Sequence, residues 1–229
     1  MIYVLSDIHG QYDKYQTMLE KIRFCSTDAL FVLGDVVDRG PDGVRVLQDM
    51  MARPNVHPIL GNHELSMAFC LRWLLSEVTE ESLAALDQAR LDAFRDWMDN
   101  GGGPTLRALQ ALSQEEREDI LEYLLEFELY AEVKVGGRIF VLVHAGLGNF
   151  APDKALDDYT PEEFLFGQPE RTTTYDPDKL VIHGHTPTRL LSGEDKILRH
   201  DTWIDIDCGC GLGGPLGCLC LDTLEEYYA

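Results

Sequence analysis

The sequence predicts an α/β fold in which two mixed β-sheets are flanked by helices. In the first third of the chain, short apolar segments alternate with helical ones, a pattern typical of parallel strands joined by helices. From about residue 130 onward, short apolar segments return in hairpin-like succession and predict a second, mixed sheet. The intervening segment is polar, acidic and helical in pattern, so we expect no strand there.

The first part of the chain predicts a βαβαβ unit with parallel strands. Its strands are expected near 2–6, 29–33 and 56–60, and its helices near 11–23, near 43–52 and from about 63. The later strands are expected near 131–135, 138–143, 180–183, 196–199, 203–207 and 216–221.

A helical insertion is expected from about 76 to 128, beside the functional site. Apolar spacing at 83–86 and 120–125 predicts helices within it, and the glycine-rich run at 100–104 is expected to form a turn. No repeat or linker divides the chain, and 229 residues suffice for one full-sized core. We therefore expect residues 1–229 to form a single domain.

Composition limits the partners and the location. The 19 Lys and Arg residues against 40 Asp and Glu give a formal net charge of −21, which repels a nucleic-acid backbone. No apolar run approaches the roughly 20 residues of a membrane span. The first residues lack a basic segment and indicate a strand, not a secretory signal. We expect a cytoplasmic protein with neither nucleic-acid nor membrane partners; the oligomeric state stays open.

Four of the six cysteines lie close together in the sequence, a spacing that fits either zinc or disulfides. Their neighbours alternate between small and apolar residues, which favours a third interpretation: two packed strands with reduced thiols acting as small hydrophobes. These residues are Cys208, Cys210, Cys218 and Cys220.

Five polar clusters follow predicted strands, where open α/β sheets favour ligand sites. Four of the seven histidines fall in them, so coincidence is the weaker explanation. An Asp and a His two residues apart can turn toward one cation, and an Arg between glycines suits a phosphate clamp. Turn and helix-cap roles are the structural alternatives for single members. The clusters span 6–10, 34–40, 61–64, 144–146 and 183–187.

Taken in order, the clusters resemble the calcineurin-like metallophosphoesterases, and within them the bacterial branch of the serine/threonine protein phosphatases. The family pattern Gly-Asp-x-His-Gly, Gly-Asp-x-x-Asp-Arg-Gly, Gly-Asn-His-Glu, His-Ala/Gly-Gly and Gly-His-Thr occurs nearly intact. The segments 97–102 and 204–209 also resemble parts of the bacterial members. The resemblance implies a sandwich of two mixed sheets.

The resemblance further implies a dinuclear metal centre bridged by Asp35. Mixed nitrogen and oxygen ligands suit manganese, iron or zinc better than calcium, and the family favours Mn²⁺. The implied ligands are Asp7, His9 and Asp35 for one ion, and Asp35, Asn62, His144 and His185 for the other.

The resemblance also assigns the catalytic residues. Two cations lower the pKa of a shared water, which attacks phosphorus in line without a phosphoenzyme. His63 would protonate the leaving oxygen, Asp38 would orient the imidazole, and Arg39 would clamp the phosphate.

Two positions depart from the family pattern. Gln168 stands where a second phosphate-binding arginine is expected, and Arg171 is the nearest replacement. His183 occupies a position expected to be apolar or aromatic, so we assign it a supporting or structural role.

The predicted function is metal-dependent hydrolysis of phosphomonoesters, with phosphoserine or phosphothreonine, or else phosphotyrosine, in a phosphoprotein or phosphopeptide as substrate. A symmetrical diadenosine tetraphosphate hydrolase is the first alternative, because those enzymes resemble the same motif set. A metal-free protein-binding scaffold is the second alternative, since fold alone does not define function.

Overall fold

The computed structural model describes residues 1–74 and 87–229. It confirms the predicted α/β fold with two mixed sheets flanked by helices, each sheet having five strands. The helix predicted at 83–86 lies outside the described residues. No helix within the described ranges is long and apolar enough to cross a membrane.

The first sheet has a parallel core, and two further strands extend one edge through antiparallel pairings. Its strand order is β10-β9-β1-β2-β3; β1 pairs in parallel with β2, and β2 with β3. The strand predicted near 216–221 was expected in the second sheet, but it is β9 and pairs antiparallel with β1. The strands are β1 (Ile2–Leu5), β2 (Ala29–Val32), β3 (Val56–Pro58), β9 (Gly217–Cys220) and β10 (Glu226–Tyr228).

The second sheet has the order β4-β5-β6-β8-β7. Strands β5, β6 and β8 are parallel, whereas the hairpin partners β4 and β7 are antiparallel. Apolar side chains of both sheets, including Val4, Leu33, Phe140 and Ile182, form one buried cluster between the layers. The strands are β4 (Tyr130–Val135), β5 (Arg138–Val143), β6 (Lys179–His183), β7 (Leu198–Arg199) and β8 (Trp203–Asp205).

Helices cover the first sheet and build the insertion. In the glycine-rich run predicted as a turn, Gly101 has a non-helical backbone conformation at φ 102°, and the chain kinks there between two helical segments. The helices are α1 (Tyr12–Lys21), α2 (Gly43–Met51), α3 (Asn62–Leu74), α4 (Gln88–Trp97), α5 (Gly103–Gln110), α6 (Gln114–Leu125), α7 (Pro161–Phe166) and α8 (Thr188–Ser192).

The cysteine cluster is only half as predicted. Cys218 and Cys220 lie in strand β9, but Cys208 lies in a loop and Cys210 begins a short 3-10 turn. All four are buried free thiols. Burial raises the pKa of Cys210 to about 12, which favours the protonated, apolar form.

Candidate active site

The five polar clusters meet where strands β1, β2, β3, β5 and β6 end. The loops after β1 and β2 are joined by backbone hydrogen bonds, in which the N–H of His9 donates to the Asp35 carbonyl over 2.9 Å. Six residues of these clusters have a positive backbone φ angle, a conformation that non-glycine residues rarely adopt. They are Asp7, His9, Asp35, Asp38, Arg39 and His185.

Asp35 lies at the middle of the site. Its Oδ2 is 3.6 Å from Nε2 of His9, and its Oδ1 is 3.4 Å from Nε2 of His144. On the second side, Oδ1 of Asn62 lies 2.9 Å from His144 Nε2 and 3.0 Å from Nδ1 of His185. We call Asp7, His9, Asp35, Asn62, His144 and His185 the Asp35 centre.

Two histidines of the Asp35 centre are oriented by carbonyl groups. Nδ1 of His144 lies 2.7 Å from the Leu33 carbonyl oxygen, and Nδ1 of His9 lies 3.0 Å from that of Val37. A carbonyl oxygen only accepts, so each Nδ1 carries the proton and donates. Each Nε2 therefore keeps a lone pair directed toward Asp35, as a metal ligand requires.

The protonation states also suit cations. Burial lowers the pKa of His9 to about 3 and that of His185 to about 4, so both rings are neutral at pH 7. Asp7 is buried, and its Oδ1 has no hydrogen-bond partner among the described residues. Burial, followed by the negative charges of Asp207 and Asp35, raises the pKa of Asp7. Because uncompensated negative charge is costly in such a site, the side chains fit bound cations.

His63 and Asp38 form a pair next to the Asp35 centre. Nδ1 of His63 donates to Oδ2 of Asp38 over 2.7 Å. The insertion supports this carboxylate, because Trp97 Nε1 donates to it over 3.0 Å and the Thr105 hydroxyl over 2.6 Å. Burial lowers the pKa of His63, but Asp35 and Asp38 outweigh burial and raise that pKa overall.

Arg39 is placed by the kink at Gly101. Its backbone N–H donates to the Gly101 carbonyl over 2.9 Å. Its exposed side chain donates from one guanidinium nitrogen to Nε2 of His9 over 2.8 Å and from the other to Nε2 of His63 over 3.2 Å. The guanidinium thus lies across the mouth of the site.

Glu64 has a role that the sequence did not reveal. Its buried carboxylate accepts from the backbone N–H of Asp35 over 2.7 Å, of Val36 over 2.8 Å and of Val37 over 3.1 Å. These bonds tie the start of α3 to the loop that carries Asp35. The signal was the fourth position of the 61–64 cluster, to which sequence reasoning gave no function.

The two departures from the family pattern lie in different surroundings. The Thr186 hydroxyl donates to Oε1 of Gln168, which puts Gln168 beside the His185 loop. Arg171 is exposed in a turn and contacts none of the Asp35 centre within the described residues, so its substrate-binding role stays a prediction. His183 is fully buried, with its ring 5.5 Å from that of Trp203, and burial lowers its pKa to about 4.

Comparison with known proteins identifies the family. The family model of the calcineurin-like phosphoesterases matches residues 1–189. A symmetrical bis(5'-nucleosyl)-tetraphosphatase of Acidovorax sp. (strain JS42) is 34% identical over 72% of this chain and 47% of its own length. The asymmetrical bis(5'-nucleosyl)-tetraphosphatase PrpE of Halalkalibacterium halodurans is 26% identical over 97% of this chain and 90% of its own. The chain thus spans about half the length of the first relative and nearly all of the second.

A solved structure supports the fold independently. The crystal structure of a protein proposed to be a diadenosine tetraphosphatase superposes with a TM-score of 0.69 and 18% identity, covering 100% of this chain and 92% of that one. At this identity the likeness concerns the fold alone.

These relatives correct the predicted function. A protein phosphatase acting on phosphoproteins or phosphopeptides is wrong, because the curated relatives are nucleotide hydrolases. The resemblance to the superfamily is confirmed, whereas membership of its protein phosphatase branch stays a prediction. With its motif-bearing residues 1–189 matched throughout, the chain belongs to the calcineurin-like phosphoesterase family.

Proposed function

We propose that the protein hydrolyses a phosphoanhydride bond of a dinucleoside tetraphosphate. The observation that carries the proposal is the agreement between two kinds of relative. One matches the motif-bearing part at 34% identity, the other matches nearly the whole chain, and both are bis(5'-nucleosyl)-tetraphosphatases. They differ in the bond they cleave, symmetrical in the first and asymmetrical in the second.

The Asp35 centre would hold two divalent cations. Asp35 lies between two groups of donor side chains, one group for each cation. When bound, such cations supply Lewis-acid activation of water and neutralise phosphoryl charge. Imidazole, carboxylate and amide donors fit manganese, iron or zinc, and Mn²⁺ is the ion we propose. We assign Asp7 and His9 to one group, and Asn62, His144 and His185 to the other. Potential ligand atoms of Asp35, His9 and His63 lie within 4.8 Å of one another, as do those of Asp35, His144 and His185, and Asp7 accepts from the backbone N–H of His185 over 3.0 Å.

Arg39 would bind the phosphate. A guanidinium matches two phosphate oxygens with parallel hydrogen bonds. At present it donates to Nε2 of His9, and that atom cannot both accept from Arg39 and bind a cation. Loading of the site therefore requires the exposed Arg39 side chain to turn away from His9, toward bound substrate.

His63 would protonate the leaving oxygen, with Asp38 as its orienting partner. The raised pKa of His63 favours the protonated ring, and its Nε2 can donate once the Arg39 side chain has turned away from it. For a tetraphosphate the leaving group is a nucleotide phosphate, which needs this proton less than an alkoxide does.

The test is product analysis with metal-stripped protein reconstituted with Mn²⁺. Diadenosine tetraphosphate is supplied, and the products are separated by anion-exchange chromatography. Two molecules of ADP indicate symmetrical cleavage and ATP plus AMP asymmetrical cleavage; either pair supports the proposal. An intact dinucleotide in the presence of Mn²⁺-loaded protein would overturn it.

A further inference from the structure

A groove beside the Asp35 centre has no part in the chemistry described above. Its volume is about 660 Å³, within the range of about 300–1,000 Å³ typical of small-molecule sites. The loop after β5, helix α7 and the segment that follows α7 form its walls. The lining residues that matter here are Asn149, Phe150, Glu162, Phe166, Gln168 and Tyr175, and we call this cavity the base groove.

The base groove adjoins the loops that carry two histidines of the Asp35 centre. The Phe166 ring stands edge-on to the His185 ring, with 6.0 Å between centroids. Gln168 accepts from the hydroxyl of Thr186, the residue after His185. A ligand in the groove therefore lies next to any phosphate held at the Asp35 centre.

The groove is preformed. The N–H of Ala145 donates to the Phe164 carbonyl over 2.9 Å, and the N–H of Gly148 to that of Glu163 over 2.9 Å. At Gly167 a Cβ atom would lie 2.3 Å from the Gly148 nitrogen, so only glycine permits this approach. Helix α7 is thereby packed on the backbone of the loop that follows His144.

The lining favours an uncharged aromatic ligand. Phe166 is 56% exposed, and the rings of Phe150 and Tyr175 pack 5.0 Å apart on the wall. The nearby Lys154 is engaged by Glu163 over 2.7 Å, whereas the carboxylates of Glu162 and Glu170 are exposed.

This charge distribution favours a nucleoside base in the groove and disfavours a phosphate there. The exposed carboxylates repel phosphate and can accept hydrogen bonds from ring amino groups. In addition, Nε2 of Gln168 is buried and has no hydrogen-bond partner among the described residues. A small rotation of the Gln168 side chain would let this amide donate to a ring nitrogen or a ribose oxygen of the ligand.

We propose that the base groove binds one purine nucleoside moiety of the dinucleoside tetraphosphate, with the base packed against Phe166. This inference rests on the proposed function, because it names the part of that substrate that the groove selects. The polyphosphate would then run from the groove toward the Asp35 centre and Arg39.

The experiment compares Phe166→Ala with two controls. Phe166→Tyr retains the ring, and Leu125→Ala truncates a similarly exposed side chain on α6, which is 52% exposed against 56% for Phe166. Values of kcat/KM are measured on diadenosine tetraphosphate and on inorganic tetraphosphate, which lacks a base. Phe166→Ala should lose roughly 10- to 100-fold on the dinucleotide alone, the effect of removing one stacking platform. Both controls should resemble the wild type.

Binding of adenosine, followed by saturation-transfer NMR on metal-free protein, separates this inference from the proposed function. Adenosine signals that are strong with wild type and weak with Phe166→Ala support the groove, even if the dinucleotide is not cleaved. The groove assignment is overturned if adenosine does not bind, or if Phe166→Ala cleaves the dinucleotide as fast as wild type.

Discussion

The Asp35 centre and the base groove are neighbours, but they are built differently. Asp35 is 1% exposed and held by backbone and side-chain hydrogen bonds, whereas Phe166 in the groove is 56% exposed. Phosphoryl transfer needs fixed donors and charges, while selection of a substrate depends on side chains that can change without disturbing the core. This difference explains why the motifs predicted phosphate-ester chemistry and still assigned the wrong substrate.

The largest effect should come from Asp35→Asn, which keeps the shape but removes the charge between the two donor groups. We expect turnover to fall on the order of 10³-fold or more on every substrate, because several kcal/mol of charge stabilisation are lost. Metal content, measured by mass spectrometry, should fall with it. Asp119→Asn, on the exposed face of α6, is the control. Full activity of an Asp35→Asn protein that binds no metal would contradict a metal-dependent centre at Asp35.

His63→Gln should distinguish leaving groups. The variant keeps an N–H for Asp38 but has no transferable proton, so turnover on an alkyl phosphate should drop roughly 10²–10⁴-fold. The loss on diadenosine tetraphosphate should be much smaller, and metal content should stay normal. Equal losses on both substrates would argue against proton donation by His63.

Glu64→Gln should weaken the centre without touching substrate. One amide nitrogen would replace an oxygen that accepts from the loop carrying Asp35. We expect metal affinity or activity to fall about 10- to 100-fold, as for other groups that orient ligands. Titration of activity against Mn²⁺ measures the shift, with the exposed Glu122→Gln as control. An unchanged titration would mean that the loop holds its position without Glu64.

Asp38→Asn should have the smallest effect, a shift in pH dependence. Asp38 contributes to the raised pKa of His63, and the acid is active only below that pKa. Loss of the Asp38 charge lowers the pKa, so the alkaline limb of activity on an alkyl phosphate should move roughly one unit toward acid. The Thr105 hydroxyl can accept from the new amide, which limits disruption. A limb that stays in place would mean that another group controls it.

The fold was largely predictable where local pattern decides it. Strands β1, β2 and β5 are continuous apolar segments, and they were predicted close to their observed ends. The sheet to which β9 belongs was predicted wrongly, because the pairing of β9 with β1 joins distant parts of the chain. Strand β10 was missed since three partly buried residues at a sheet edge carry little signal.

The functional site likewise has one part that the sequence predicts and one part that it does not. The members of the Asp35 centre were named from the sequence because strand ends bring such clusters together. Glu64 and the base groove were not recognised, since their roles depend on distances between α3 and the β2 loop and between α7 and the β5 loop. In the sequence, Gln168 stands out only as a departure from the family pattern.

The left-handed backbone at Asp7, His9, Asp35 and His185 has a consequence for the stability of the folded chain. Each such non-glycine residue costs on the order of 1 kcal/mol or more of folding stability, because only glycine adopts this conformation freely. A glycine at any of these positions would therefore relieve backbone strain and remove one donor of the Asp35 centre. The fold gives up stability where the centre needs its donors.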